Sequence, residues 1–154
     1  MDLQNLLPKS HVVCLEDTTL PRRALLAALV EPLVADGIVT DAESFLDALE
    51  LREADMTTQM KGGIALPHAS STAVKRLGLV VGRMASPGIA FDPDSDEKCL
   101  YFFLMSVPAT APAAHLPLFS HIAGFITAPG KLDKLRSIED QDAIWKLITT
   151  WKRT

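Results

Sequence analysis

Apolar residues along this chain fall into short solid runs and longer spaced ones, and the two kinds predict different elements. "HVVCLE" (11–16) is short and β-branched and predicts a strand. "TTLPRRALLAALVEPLVADG" (18–37) predicts a helix, with Thr18 or Thr19 as cap, Pro21 in the first turn and Gly37 at the end. Pro32 falls inside that pattern and predicts a kink or a division. "DAESFLDALELREADM" (41–56) predicts a second helix, capped by Asp41, with Ala42, Phe45, Leu46 and Leu49 on one face. "GIALP" (63–67) predicts a short buried strand, and "RLGLVVGRM" (76–84) and "CLYFFLMSVP" (99–108) predict stronger ones. Between the last two, "SPGIAFDPDSDEK" is rich in turn and acidic residues and predicts a loop. "PAAHLPLFSHIAGFIT" (112–127) predicts a helix with Pro117 in its first turns. "GKLDKLRS" (130–137) predicts a short helix, and "SIEDQDAIWKLITTW" (137–151) a last one capped by Ser137.

The order is strand, two helices, three strands, three helices. It predicts an α/β fold, a mixed sheet with helices on both faces. At 154 residues the chain is expected to form a single domain, 1–154, with a substantial core. Its 48% hydrophobic and 22% charged residues argue against disorder. Net charge is -4 and no run of lysines or arginines appears, which argues against nucleic acid and for a basic partner. Cys14 and Cys99 both lie in apolar stretches and predict buried, reduced thiols in a cytoplasmic protein. The N-terminus lacks the pattern of a signal peptide, and no apolar stretch is long enough to insert into a membrane.

Four histidines are candidates for chemistry: His11, His68, His115 and His121. The sequence has no HxH, HExxH or CxxC, so no metal site is predicted. His11 precedes a strand and predicts a surface residue. His121 sits among apolar neighbours in "FSHIAGF" and predicts a packed histidine. His68 differs, because it ends "GGIALPH" (62–68). Pro67 has a fixed φ and no N–H, so it holds Leu66 extended and is expected to end the strand ladder. Gly62 and Gly63 permit a tight approach just before the strand. The result is a histidine at the tip of a rigid element near the sheet's rim, where ligands collect. A histidine is largely neutral and nucleophilic near pH 7, because its ordinary pKa is about 6.5. A solvent-exposed histidine with no role is the competing reading of the same pattern.

"RE" at 52–53, "TT" at 57–58 and "GGIALPH" at 62–68 together resemble the enzyme IIA phosphocarrier of the bacterial phosphotransferase system, mannitol/fructose type. That family includes the nitrogen-regulatory IIA proteins. "GIAFD" (88–92) and "CLYFFLMSVP" followed by "AAHLPLFSHIAGFI" extend the resemblance over most of the chain. It implies a three-layer α/β/α sandwich around a mixed sheet and a protein that needs no cofactor. His68 would be the phosphorylated histidine. Arg52 would lie beside it, His115 would be the second histidine of the site, and Thr58 would be a weaker phosphate-binding position. The implied reaction takes a phosphoryl group from phospho-HPr and passes it to a IIB domain in sugar uptake. The alternative is a regulatory module, nitrogen-regulatory IIA-like, whose His68 phosphorylation state controls docking to target proteins. The sequence reads as standing alone, with no IIB-, IIC- or HPr-like segment attached, and on that reading the regulatory alternative is expected to be slightly favoured.

The residue types suit such chemistry. Phosphoryl transfer needs positioning and charge stabilisation more than covalent help. Arg52 offers a planar pair of donors to phosphoryl oxygens, and His115 a further donor. Taken without the family, Arg52 reads as a solvated helix residue and His115 as a residue bonded to its own loop. Three positions depart from the family's pattern. Lys61 stands where glycine or alanine is usual, Met56 where many members have glycine, and Pro117 follows His115 closely. The surface around His68 is expected to be apolar with an acidic fringe, to which Asp92, Asp94 and Asp96 contribute.

Overall fold

A computed structural model describes residues 2–153. Its elements in chain order begin with α1 (Leu3–Leu6), a 3-10 turn (Lys9–His11), β1 (Val12–Leu15), α2 (Arg22–Ala35) and α3 (Ala42–Asp55). Five strands follow: β2 (Gln59–Met60), β3 (Ile64–Ala65), β4 (His68–Ser71), β5 (Gly78–Met84) and β6 (Tyr101–Pro108). The chain closes with α4 (Leu116–Thr127), α5 (Lys131–Arg136) and α6 (Gln141–Thr150).

The six strands form one mixed sheet in the order β1-β5-β6-β3-β2, with β4 also on β6. β5 and β6 are antiparallel, whereas β1 on β5 and both β3 and β4 on β6 are parallel. Side chains alternate across β5 and β6, as the period of two requires. Val80, Met84, Phe102 and Leu104 face α2 and α3, where they meet Leu25, Leu29, Phe45 and Leu49. Leu79, Val81, Tyr101, Phe103 and Met105 face α4, α5 and α6, where they meet Leu118, Ile122, Leu135 and Ile144. This is the expected α/β/α sandwich around a mixed sheet. Both faces of β5 and β6 are buried, which is why these two strands read as solid apolar runs. Each large side chain fully buried there contributes about 1.5–3 kcal/mol relative to exposure.

Several boundaries differ from the sequence reading. Thr18 and Thr19 do not cap α2; Thr19 bonds Asp17, and the helix starts after Pro21. Pro32 does not divide α2. It lies within the last turn, and Leu25, Leu26, Leu29, Val30 and Leu33 anchor the helix to the core on both sides of it. Ser137 ends α5, and Asp140 caps α6 by accepting the Ala143 N–H. Asp41 caps α3 as expected, accepting the Ser44 N–H. Cys99 is buried, but Cys14 is exposed, because β1 is an edge strand with β5 as its one neighbour in the sheet. Among the described residues no helix is long and apolar enough to cross a membrane.

His11 is not a surface residue. It is 1% exposed, with Nδ1 donating to the Leu79 carbonyl at 3.1 Å and Nε2 at 2.6 Å from Asp36 Oδ2. The 3-10 turn drops the ring between β5 and the end of α2, so the apolar pattern around it hides a polar tie. Asp36→Ala leaves a buried ring nitrogen without its acceptor. The expected loss is about 1–3 kcal/mol, read as a fall of several degrees in the thermal unfolding midpoint. An unchanged midpoint would show that the tie carries no stability.

Candidate functional site

β3 and β4 are one extended run interrupted at Leu66–Pro67. Ile64 pairs Tyr101 and His68 pairs Met105, so the register on β6 is the same before and after the proline. Pro67 therefore does not end the ladder. It lacks a donor, but its carbonyl still accepts the Met105 N–H at 2.9 Å. His68 consequently opens a strand, rather than closing one. Gly62 and Gly63 make the turn before it with φ of 101° and 76°. A side chain at Gly63 would also press on the Lys98 carbonyl, 3.0 Å from its Cβ position.

The His68 ring is half-buried, and its Nδ1 lies 2.7 Å from the Leu66 carbonyl. A carbonyl only accepts, so Nδ1 carries the proton and Nε2 presents a lone pair. His115 stands beside it, with ring centroids 5.1 Å apart and planes 33° apart. Phe119, one turn into α4, meets the His68 ring edge-on at 5.7 Å. His115 occupies the N-cap position of α4, so the helix itself aims it at the end of β4. Pro117 is accommodated there, since a helix's first turn leaves its N–H groups unbonded in any case. The His115 Nδ1 is buried and finds no hydrogen-bond partner among the described residues. Burial, then repulsion from His68 when both rings are protonated and from the Arg52 guanidinium, hold the His115 pKa below the ordinary histidine range.

Arg52 reaches this place from the last turn of α3. Its Nη1 donates to the Met56 carbonyl at 2.8 Å, closing the helix end, and its side chain lines a cleft with Ala69 and Ser70 of β4. His68 and His115 thus stand side by side, and Arg52 is near enough for its charge to bear on His115. Thr58 is held differently. Its hydroxyl and N–H both donate to Glu53, at 2.6 Å each. Glu53 was not among the predicted site residues. It is a buried acid in an otherwise solvated "RE" pair, and only its position on the inner face of α3 marks it. His121 packs edge-on against Trp151 at 4.9 Å, as expected of a packed histidine.

The rim is apolar. Leu51, Met56 and Leu116 are 76%, 67% and 56% exposed, next to Arg52 or His115 in sequence or by hydrogen bond. The acidic loop lies elsewhere. Glu97 accepts the Gly62 and Gly63 N–H groups, and Asp92 N–H donates to Gln59, which anchors the loop at the β2–β3 turn. Gly63 is five residues from His68 along an extended run, roughly 16 Å at about 3.3 Å per residue. The loop that carries Asp92, Asp94 and Asp96 is thus tied to β2 and to the Gly62–Gly63 turn, where Lys61 also lies, and none of its hydrogen bonds among the described residues goes to His68. Among the described residues no three histidine, cysteine or acidic side chains cluster as metal ligands.

Residues 5–151 match the family model "Phosphoenolpyruvate-dependent sugar phosphotransferase system, EIIA 2". The chain is 29% identical over 134 residues to the PTS system fructose-specific EIIA component of Haloferax volcanii, covering 87% of this chain and 86% of that protein. Its fold is similar to that of the nitrogen regulatory protein IIA-Ntr from Neisseria meningitidis. The TM-score is 0.80 at 21% identity, over 95% of this chain and 98% of that one. It is also similar to the structure titled as a complex of enzyme IIAMTL and phosphorylated enzyme IIBMTL from Escherichia coli. There the TM-score is 0.75 at 17% identity, over 92% of this chain and 96% of that one.

The crowding of His115 by positive groups yields a measurable titration. Followed by NMR, the His115 ring should titrate below the ordinary value of 6.5, and Arg52→Gln should move its midpoint upward. The sign for stability follows. The folded ring holds its proton less tightly than an unfolded histidine, so this residue leaves stability unchanged well above pH 6.5 and lowers it as pH falls through about 6.5. A His115 midpoint unmoved by Arg52→Gln would separate the two groups electrostatically.

Proposed function

The chain belongs to the phosphoenolpyruvate-dependent sugar phosphotransferase system EIIA 2 family, and we propose that His68 is its phosphoryl-carrying residue. The observation that carries this reading is the His68 Nδ1–H bond to the Leu66 carbonyl, with His115 5.1 Å away. It leaves Nε2 as the one nucleophilic nitrogen of the ring. In the proposed reaction the Nε2 lone pair attacks the phosphorus of a phosphohistidine on an HPr-like donor. The new N–P bond forms as the donor's N–P bond breaks, and the bonding pair leaves on the donor's imidazole. No proton moves. Positive charge develops over the His68 ring and is met by the Leu66 carbonyl, which already accepts the Nδ1 proton.

Arg52 and His115 have separate roles in this scheme. The Arg52 guanidinium, held to Met56 in the free protein, turns its forked donors to the phosphoryl oxygens. Burial and the Arg52 guanidinium favour the neutral form of His115 until the phosphoryl group arrives. The arriving negative charge then raises its proton affinity and makes it a donor. The reverse attack, by a nucleophile on a IIB domain, empties His68 again. Such passage between proteins fits a site ringed by exposed Leu51, Met56 and Leu116.

Given phosphoenolpyruvate, enzyme I and HPr, the protein should gain one acid-labile phosphoryl group. His68→Gln should abolish it, and proton–nitrogen correlation spectra should locate it on Nε2. Label that persists in His68→Gln would overturn the proposal. Losing one charged hydrogen bond made only in the transition state costs about 1.5–3 kcal/mol, roughly ten- to a hundredfold in rate. By rapid quench, Arg52→Lys should therefore be slowed nearly as much as Arg52→Ala, because lysine keeps the charge without the fork. A near wild-type Arg52→Lys would reduce the role of Arg52 to charge alone.

A further inference from the structure

Glu53 is 5% exposed and makes no ion pair among the described residues. A buried carboxylate is costly unless hydrogen-bonded, and both of its oxygens are committed to one residue. Oε2 accepts the Thr58 N–H and Oε1 the Thr58 hydroxyl, at 2.6 Å each. Thr58 is then bonded onward. Its carbonyl accepts the Leu66 N–H at 3.2 Å, and the Leu66 carbonyl accepts the His68 Nδ1 proton at 2.7 Å. A continuous line of hydrogen bonds thus runs from the inner face of α3 to the ring at the site.

We propose that Glu53 is a positioning residue for His68. By gripping Thr58 it fixes Leu66, whose carbonyl keeps the ring proton on Nδ1 and leaves Nε2 free. This deepens the reading of His68 as phosphoryl acceptor and rests on it. Thr58 accordingly serves through its bonds to Glu53 and Leu66, with its hydroxyl spent on the acid. The chemistry explains why an acid is used. A carboxylate can accept from an N–H and an O–H together, whereas a carboxamide has one acceptor oxygen: set on the Thr58 N–H, it turns its NH2 toward the hydroxyl, which must then accept instead of donate. The competing account is a clamp between α3 and β2 that holds the fold and leaves the His68 ring indifferent.

The ring's tautomer distinguishes the two accounts. In unphosphorylated protein carrying 15N-histidine, long-range proton–nitrogen spectra should show His68 as the Nδ1–H form. Glu53→Gln and Thr58→Val should each give a mixture with an Nε2–H fraction, and each should accept phosphoryl from HPr about tenfold more slowly. Thr58→Ser, which keeps the hydroxyl, should restore the Nδ1–H form. A folded Glu53→Gln or Thr58→Val with the wild-type tautomer overturns the inference, whatever its rate; if Glu53→Gln does not fold, Thr58→Val decides. If wild-type protein takes no phosphoryl group, the acceptor reading fails, and the tautomer spectra still decide what Glu53 does to the ring.

Discussion

Pro67 can accept a hydrogen bond within the sheet but cannot donate one, and the site is arranged around that limit. Its carbonyl takes the Met105 N–H, so the run from Ile64 to Ser71 keeps one register on β6. On the other side of the run, Leu66 N–H finds the Thr58 carbonyl, one residue beyond the last β2 pair. There the chain turns away toward α3. The Leu66 carbonyl is left at a free edge, and the His68 ring takes it. A slip of one residue would send His68 to the other face of the sheet, away from His115. The apolar packing of Ile64, Ala65 and Leu66 into the two cores therefore sets the orientation of a ring that lies outside both.

The order of elements, the mixed sheet and the helical layers on its two faces were legible because β5 and β6 are buried on both sides and write themselves as solid apolar runs. His68, Arg52 and His115 were proposed from a motif and its spacing; the fold sets the two histidine rings side by side and puts Arg52 on the neighbouring helix end. What stayed hidden has a common cause. β2 and β4 are two and four residues long and carry Gln59 and the serines of "HASS", so no period shows. His11 and Glu53 look like solvent residues in sequence, yet each is buried by a partner distant in pattern: Asp36 beyond the end of α2, and Thr58 beyond the end of α3. Paired polar burial leaves no hydrophobic signature. The acidic loop was misplaced for the opposite reason. Its charge was visible, but its anchor, Glu97 on the Gly62–Gly63 turn, depends on tertiary contact.

The electrostatics of the site favour an anion. Arg52, His68 and His115 meet with no carboxylate paired to any of them among the described residues. Asp55 shares the Arg52 cleft without forming an ion pair. The depressed His115 pKa is what this arrangement costs while no anion is bound. A phosphoryl group on His68 would reverse the sign of the local field, so Arg52, which opposes protonation of His115 in the free protein, would then share the oxygens with it.

A phosphoryl group on nitrogen must be held firmly enough to survive and loosely enough to leave. On the proposed reading these demands fall on different parts of the molecule. The Leu66 carbonyl and the line of bonds behind it fix the ring, and they do not touch the phosphoryl oxygens. The oxygens face Arg52, which has an alternative partner in the Met56 carbonyl and can return to it when the group departs. Leu51, Met56 and Leu116 are exposed apolar residues flanking Arg52 and His115 in the chain, and a protein docked over the site would cover them on this reading. Covering them would strip water from the N–P bond at the moment of transfer, strengthening the charge interactions and disfavouring hydrolysis. Rigid support on the ring side, an exchangeable clamp on the phosphoryl side and an apolar rim for the partner together suit a carrier better than a hydrolase, which needs water where this site would exclude it.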